Sequence, residues 1–322
     1  MLNFTWWLNR QDPDGNSLFG GGFLGLDNIS PVDRSHLPPG MRLEQADGTA
    51  WMAWYSAAML VLALTLADRD PVYEDMVVKF LEQFVLITDA LADSGLYDPQ
   101  DGFFYDRLIG PDDAATPIRV QTLVGVIPAL PAVSIPERNS ERAQRLRKRF
   151  ARRVDRRPDA TDQSWRIRGT GTSRRLLVSV LTEDQLRTVL ATLFDEDAFL
   201  SRHGLRSLSK RFEAPYTLPG MPDAVIDYQP AESRTSMYGG NSNWRGPVWF
   251  PVNYLAIRAL LQYAAFFEDD FTVEYPTGSG RQRTLREVAG DLADRLVGIW
   301  LPGADGGRPA AGGVERSSNN LS

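Results

Sequence analysis

The residue with the clearest capacity for chemistry is Asp27, delivered by a glycine-rich approach in GGGFLGLDNISPVDRS, residues 20–35. A carboxyl group set among Gly, Leu and Phe is expected in a partly desolvated pocket, which raises its pKa toward the range a general acid needs. Asp27 is therefore the candidate proton donor. A second constellation, Asn243, Trp244, Arg245 and Trp249 in GGNSNWRGPVW, packs two indole faces and two hydrogen-bonding groups into seven residues at a helix start. Flat apolar surfaces beside a few rigid polar groups suit a pyranose ring, with core packing as the alternative role for the two tryptophans. Gln45 and Asp47 precede Trp51 and Trp54 and are read as either binding or helix-capping residues. Tyr228 and Tyr238 are weaker candidates of the same kind. Arg34 either orients the acid or a hydroxyl, or neutralises Asp33.

Composition narrows the chemistry. The 322 residues carry 43% hydrophobic and 24% charged residues, enough for a large core. A net charge of −6 argues against nucleic acid or an anionic membrane as partner, and favours a neutral, hydroxyl-rich ligand. There is no cysteine, and the two histidines, His36 and His203, lack metal-ligand spacing, so thiolate, zinc and histidine-dependent chemistries recede and carboxylates remain. No signal-like stretch is seen, and the apolar run from Ala57 to Ala67 is too short for a bilayer, so the reading is a soluble, cytoplasmic protein of unspecified oligomeric state. In QDPDGNS, Asp12, Asp14 and Asn16 alternate like the first ligands of a calcium loop. Gly15 is misplaced for an EF-hand and the twelfth loop position is Phe23, so a plain acidic turn competes.

The elements that must position these groups read as helices. MLNFTWWLNR resembles the end of a helix, and the chain is expected to begin inside a larger protein. Residues 50–67 form an apolar helix with Trp51, Tyr55, Ala58 and Leu62 on one face. Asp70 and Pro71 start another that runs to about Leu91 and stops at Gly95. DPQDGFFYDRLI predicts a short strand or edge hairpin. A short helix is expected around Leu123 to Ala129, followed by an Arg-rich solvated helix from Glu137 to Arg157. Thr182 with Gln185 and Thr284 with Glu287 form capping boxes for helices ending at Phe194 and Pro302, and Pro247 to Phe267 reads as a long apolar helix. Helix after helix joined by site-bearing loops predicts an all-α fold, an (α/α)6 toroid of helical hairpins with short β-hairpins in its loops, over residues 1–302. Residues 303–322, rich in Gly, Ala and Ser, are expected to be a disordered tail. Gly169 to Thr172 shows no clear strand before it and no helix after it, and is discounted as a nucleotide loop.

Four stretches, Gly25-Leu26-Asp27-Asn28 with Ser30 and Pro31, QADGTAWMAWY (Gln45 to Tyr55), DPQDGFFYD (Asp98 to Asp106) and GGNSNWRGPVW (Gly239 to Trp249), together resemble glycoside hydrolase family 63, the processing α-glucosidases and their bacterial relatives. The resemblance implies inverting hydrolysis of α-glucosidic bonds in oligosaccharides or small glucosides, with Asp27 as acid, Gly25 in the acid-bearing loop and the WRG-P-W segment beside it. It also implies a possible structural calcium closed by a distant acid, for which Glu74 is the candidate beside Asp12, Asp14 and Asn16; no other cofactor is required. Inversion needs a second carboxylate roughly 6.5–9.5 Å from the first. The family's base segment has no match here. Glu315 lies in the right neighbourhood without the expected aromatic context, and Glu232 and Glu44 are further alternatives. The expected account is a fragment of a longer hydrolase lacking its base. A carbohydrate-binding or scaffold toroid without catalysis, and a trehalase-like glycosidase, are the competing readings.

Overall fold

The computed structural model describes residues 1–12, 15, 17–20, 29–136, 145–146, 148–149, 165–170, 173–231, 234, 245–303 and 306–311. Its helical part is built from hairpins. Helix α1 (Leu2–Leu8) leads to α2 (Ala46–Ala67), then to a 3-10 turn at Pro71–Tyr73 and α3 (Glu74–Asp93). Ala46, Ala50, Ala53, Ala57, Leu60 and Ala63 form the buried stripe of α2, at the three- and four-residue spacing of one helix face. The buried stripe of α3 is large: Val77, Phe80, Phe84, Ile87 and Leu91. Small residues on one helix let the aromatics of the other approach its backbone, and each buried Phe contributes about 1.5–3 kcal/mol. Phe4 docks α1 onto this pair, meeting Tyr55 and Phe80 edge-on, each at 5.1 Å between ring centroids.

The face of α2 marked in sequence by Trp51, Tyr55, Ala58 and Leu62 is thus the outer, less buried one. The helix also starts four residues earlier than expected, at Ala46. At 22 residues it is long and apolar enough, by length and composition, to cross a membrane, although in this structure its alanine stripe lies in the core. Asp70 caps the following turn by accepting the Val72 N–H at 3.0 Å, and Gly95 ends α3 with φ +72°, as its sequence position predicts.

Both capping boxes form in full. Thr182 and Gln185 start α4 (Glu183–Leu193), and Thr284 and Glu287 start α6 (Leu285–Gly298). Helix α5 (Phe250–Phe267) begins three residues later than expected, because Pro247 to Trp249 is drawn into extended pairing. It packs on α6, to which the hairpin β13 (Thr272–Glu274)/β14 (Gln282–Thr284) connects it.

Sheet structure exceeds what the sequence suggested. Strands β1 (Arg42–Glu44), β4 (Arg107–Ile109) and β5 (Ala115–Pro117) form one antiparallel sheet in the order β1-β4-β5. The DPQDGFFYD stretch supplies β2 (Tyr97–Asp98) and β3 (Phe103–Phe104) as the predicted hairpin. A second three-stranded sheet, β6 (Ala132–Pro136), β8 (Arg175–Ser179) and β7 (Trp165–Arg168), was not foreseen. Strand β7 immediately precedes Gly169, correcting the expectation that no strand stands there, and the next described element is its antiparallel partner β8 rather than a helix. The helix expected around Leu123 to Ala129 is two 3-10 turns, Leu123–Gly125 and Ile127–Ala129. Two further hairpins, β9 (Leu200–Ser201)/β10 (Gly204–Leu205) and β11 (Tyr216–Thr217)/β12 (Val225–Ile226), lie before α5. Within the expected tail, residues 309–311 form a 3-10 turn and Ala310 donates to the Ile299 carbonyl at 2.9 Å, so this part folds back on the end of α6. Residues 312–322 lie outside the described residues.

Candidate active site

The site is organised over a second, small apolar cluster of Val32, Leu108, Ile118, Val120, Leu208, Leu218, Ala224 and Ile226, with Leu43 and Tyr228 packed against it. This cluster brings together the segment that follows Asp27, the β1-β4-β5 sheet, and the strands that hold the WRGPVW segment. Asp27, Gly25, Asn243, Trp244, Tyr238, Glu232 and Glu315 themselves lie outside the described residues.

On the first side, Ile29, Ser30, Val32 and Arg34 are all buried. The Arg34 guanidinium meets both oxygens of Asp47, through Nη1 at 2.9 Å and through Nη2, and Nη2 lies 3.1 Å from Asp106 Oδ2. Asp106 Oδ1 accepts the Ala46 N–H at 2.9 Å, closing a bonded circuit around the start of α2. Among the described residues Arg34 thus pairs with Asp47 and Asp106, while Asp33 pairs with His36 at 3.1 Å. Asp47, expected to bind substrate or cap the helix, is fully buried and accepts from Arg34 and the Gly48 N–H. Gln45 occupies the N-cap position of α2 without a side-chain cap bond, and is itself buried. Trp51, one turn further, is half-buried and edge-on to Trp54.

One guanidinium shared by two buried carboxylates leaves an excess negative charge. Burial, opposed by Arg34 and reinforced by Asp47, pushes the Asp106 carboxyl up to about 6. Its folded pKa lies above the unfolded one, so between about pH 4 and 6 the folded protein holds a proton the unfolded chain has released. Stability is expected to fall as pH rises through that window, by on the order of 1–3 kcal/mol. Asp106→Asn should remove this component. Chemical denaturation of both proteins from pH 4 to 7 should show the variant gaining on the native protein with rising pH; a constant difference would contradict the assignment.

On the second side, Gly246 donates to Ser207 Oγ at 2.8 Å, the Ser207 N–H donates to the Pro247 carbonyl at 3.1 Å, and Val248 bridges Arg206 in antiparallel pairing. Gly246 has φ +139°, and a Cβ there would stand 2.5 Å from the Tyr228 ring, so only glycine fits. Tyr228 accepts from Arg206 Nε at 3.1 Å and thereby braces the segment. Arg245 is buried, 3.8 Å from Asp227 Oδ1, while the neighbouring Gln229 donates to the same oxygen at 2.6 Å. Trp249 is partly buried immediately before α5, and its carbonyl accepts from the Asn253 side chain at 2.9 Å. The same amide exchanges two hydrogen bonds with Leu205, at 2.7 and 3.0 Å. Asn253 thus ties the segment to β10. A single Asn in the first turn of an otherwise apolar helix was the available signal, since buried amides are bonded.

Glu74, the candidate calcium ligand, is paired with arginines. Its carboxylate is buried and flanked by Arg145 at 3.3 Å and Arg149 at 3.7 Å, which also pairs with Asp75, so its charge is met by guanidinium groups. Asp12 Oδ1 accepts the Leu18 N–H at 3.2 Å as a turn would; Asp14 and Asn16 lie outside the described residues. Among the described residues no group of three or more acidic or histidine side chains is placed to hold a metal. Glu44, an alternative base, stands between Arg107 at 3.4 Å and Arg42 at 3.6 Å.

The family model described as glycosyl hydrolase family 63 C-terminal domain matches residues 33–297. A Saccharomyces cerevisiae (strain ATCC 204508 / S288c) protein described as uncharacterized protein YMR196W is 40% identical over 328 residues, covering 96% of this chain and 30% of that protein. The chain thus spans less than a third of the length of this relative. A crystal structure of a GH63 mannosylglycerate hydrolase from Thermus thermophilus, in complex with glucose, superposes with a TM-score of 0.41 at 16% identity, over 91% of this chain and 67% of that one.

Proposed function

Because the chain belongs to glycosyl hydrolase family 63, we propose that it forms the acid-bearing and sugar-contacting part of an inverting α-glucosidase acting on oligosaccharides or small glucosides, on an (α/α)6 helical scaffold. Asp27 protonates the departing glycosidic oxygen. The second carboxylate activates water on the opposite face of the ring, and it comes from Glu315 or from sequence beyond these 322 residues. Trp244, Trp249 and Trp51 offer faces to the sugar, and Asn243 and Arg245 its hydroxyl partners. The mechanism draws on side chains alone.

The observation that supports this reading is the shared second core. Val32, five residues past Asp27, and the strands that fix residues 246–249 pack through one apolar cluster, which supports reading the acid-bearing and sugar-contacting segments as sharing a base. Rigid placement of a few groups is what acid catalysis on a neutral substrate requires. The test is glucose release from a panel of α-linked disaccharides and small α-glucosides by the full-length protein. Turnover that depends on Asp27 supports the reading; saturable sugar binding without turnover would replace it with a carbohydrate-binding role.

A further inference from the structure

The first turn of α2 touches the acid-bearing segment on both sides. Upstream, the N–H of buried Phe19 donates to Thr49 Oγ1 at 3.0 Å, and the same hydroxyl donates back to the Phe19 carbonyl at 3.2 Å. One hydroxyl thus satisfies both backbone groups of one residue, in a site where Thr49 is fully buried. Between the two contacts stands Gly48, where a Cβ would lie 2.9 Å from the Phe19 carbonyl oxygen and 2.8 Å from Gln45 Oε1. A side chain there would push the segment off the helix. Downstream, Asp47 holds Arg34, and Ile29 and Val32 are inserted into separate apolar clusters. Asp27 falls between these two feet in sequence.

We propose that the first turn of α2 is a clamp that positions the general acid: Thr49 holds the upstream foot at Phe19, Asp47 holds the downstream foot at Arg34, and both are positioning residues for Asp27. The proposal rests on the reading of Asp27 as the acid. It gives Asp47, read from sequence as either a binding or a capping residue, a part in the placement of another residue, and it adds Thr49, which the sequence did not single out. Proton donation is sensitive to placement, and a displacement of about 1 Å can cost on the order of 100-fold in rate.

Thr49→Val keeps the shape of the side chain and removes both hydrogen bonds. In the full-length protein it is expected to lower kcat about tenfold or more while KM stays within about threefold. Amide hydrogen exchange should quicken in peptides covering residues 17–35 and not in those covering α4. Thr49→Ser, which keeps the hydroxyl, should restore both. A Thr49→Val protein with kcat within about twofold of the native value, when Asp27→Asn abolishes activity, would overturn the proposal. Should Asp27→Asn retain activity, the functional reading fails first and the catalytic part of the proposal falls with it. Exchange then judges the anchor separately, and unchanged exchange at residues 17–35 would remove that as well.

Discussion

Asp27→Asn in the full-length protein is expected to lower kcat for an unactivated α-glucoside by roughly 10² to 10⁴ fold, with a smaller change in KM. The amide is isosteric but has no acidic proton, so the departing oxygen would leave as an alkoxide. The size of the defect should therefore depend on the leaving group. With α-glucosyl fluoride, whose departing fluoride needs little protonation, the variant should recover most of the native rate. A uniform loss across both substrates would point to misplacement or misfolding, and an unchanged rate on both would remove Asp27 from the mechanism.

Arg34→Leu is expected to cost about 3–5 kcal/mol of folding stability, the largest structural effect of any single substitution in the described part of the site. Arg34 is the shared partner of two buried carboxylates, and its removal leaves Asp47 and Asp106 facing one another away from water. A like-charge pair in that setting cannot stay fully ionised, so one carboxyl, by its already raised pKa Asp106, should take up a proton. The deficit should accordingly shrink toward acid pH. Urea unfolding at pH 5 and pH 8 measures both parts; a loss under about 1 kcal/mol at pH 8 would show that the pair contributes no more than an exposed salt bridge.

These two residues also mark what was legible in the sequence. Features determined within a few residues were readable: the capping boxes at Thr182 and Thr284, the Asp70 cap, the Gly95 stop and the hairpin in DPQDGFFYD each follow from local backbone chemistry. The family was legible because its motifs keep their order, and the match over residues 33–297 bears this out. Partnerships across the chain were not. Arg34 was read as orienting the acid or a hydroxyl, or as neutralising Asp33, because nothing in the sequence reveals that Asp47 and Asp106 converge on it. Glu74 was nominated for calcium by the family resemblance, and nothing local reveals that Arg145 and Arg149, some seventy residues away, meet its carboxylate. The β6-β8-β7 sheet escaped because its strands are only four or five residues long and its pairing joins residues 132–136 to 175–179, far apart in the chain. The early start of α2 was hidden for a related reason: Gln45 makes no side-chain cap, and Asp106 supplies the acceptor for the Ala46 N–H.

Thr49 and Asn253 show the same limit from the functional side. Each is a polar residue inside an apolar helix whose partners belong to another segment, Phe19 for one and Leu205 for the other. Their helices were legible, and the contacts that make them positioning groups were not.

The most direct test of the central claim is the anomer first released. Proton NMR of the anomeric region, recorded within minutes of mixing the full-length protein with an α-glucoside, separates product formation from mutarotation. Inverting hydrolysis with Asp27 as acid predicts that β-glucose appears first and that the α signal grows in only as mutarotation proceeds. Initial release of α-glucose would establish retention and contradict the account.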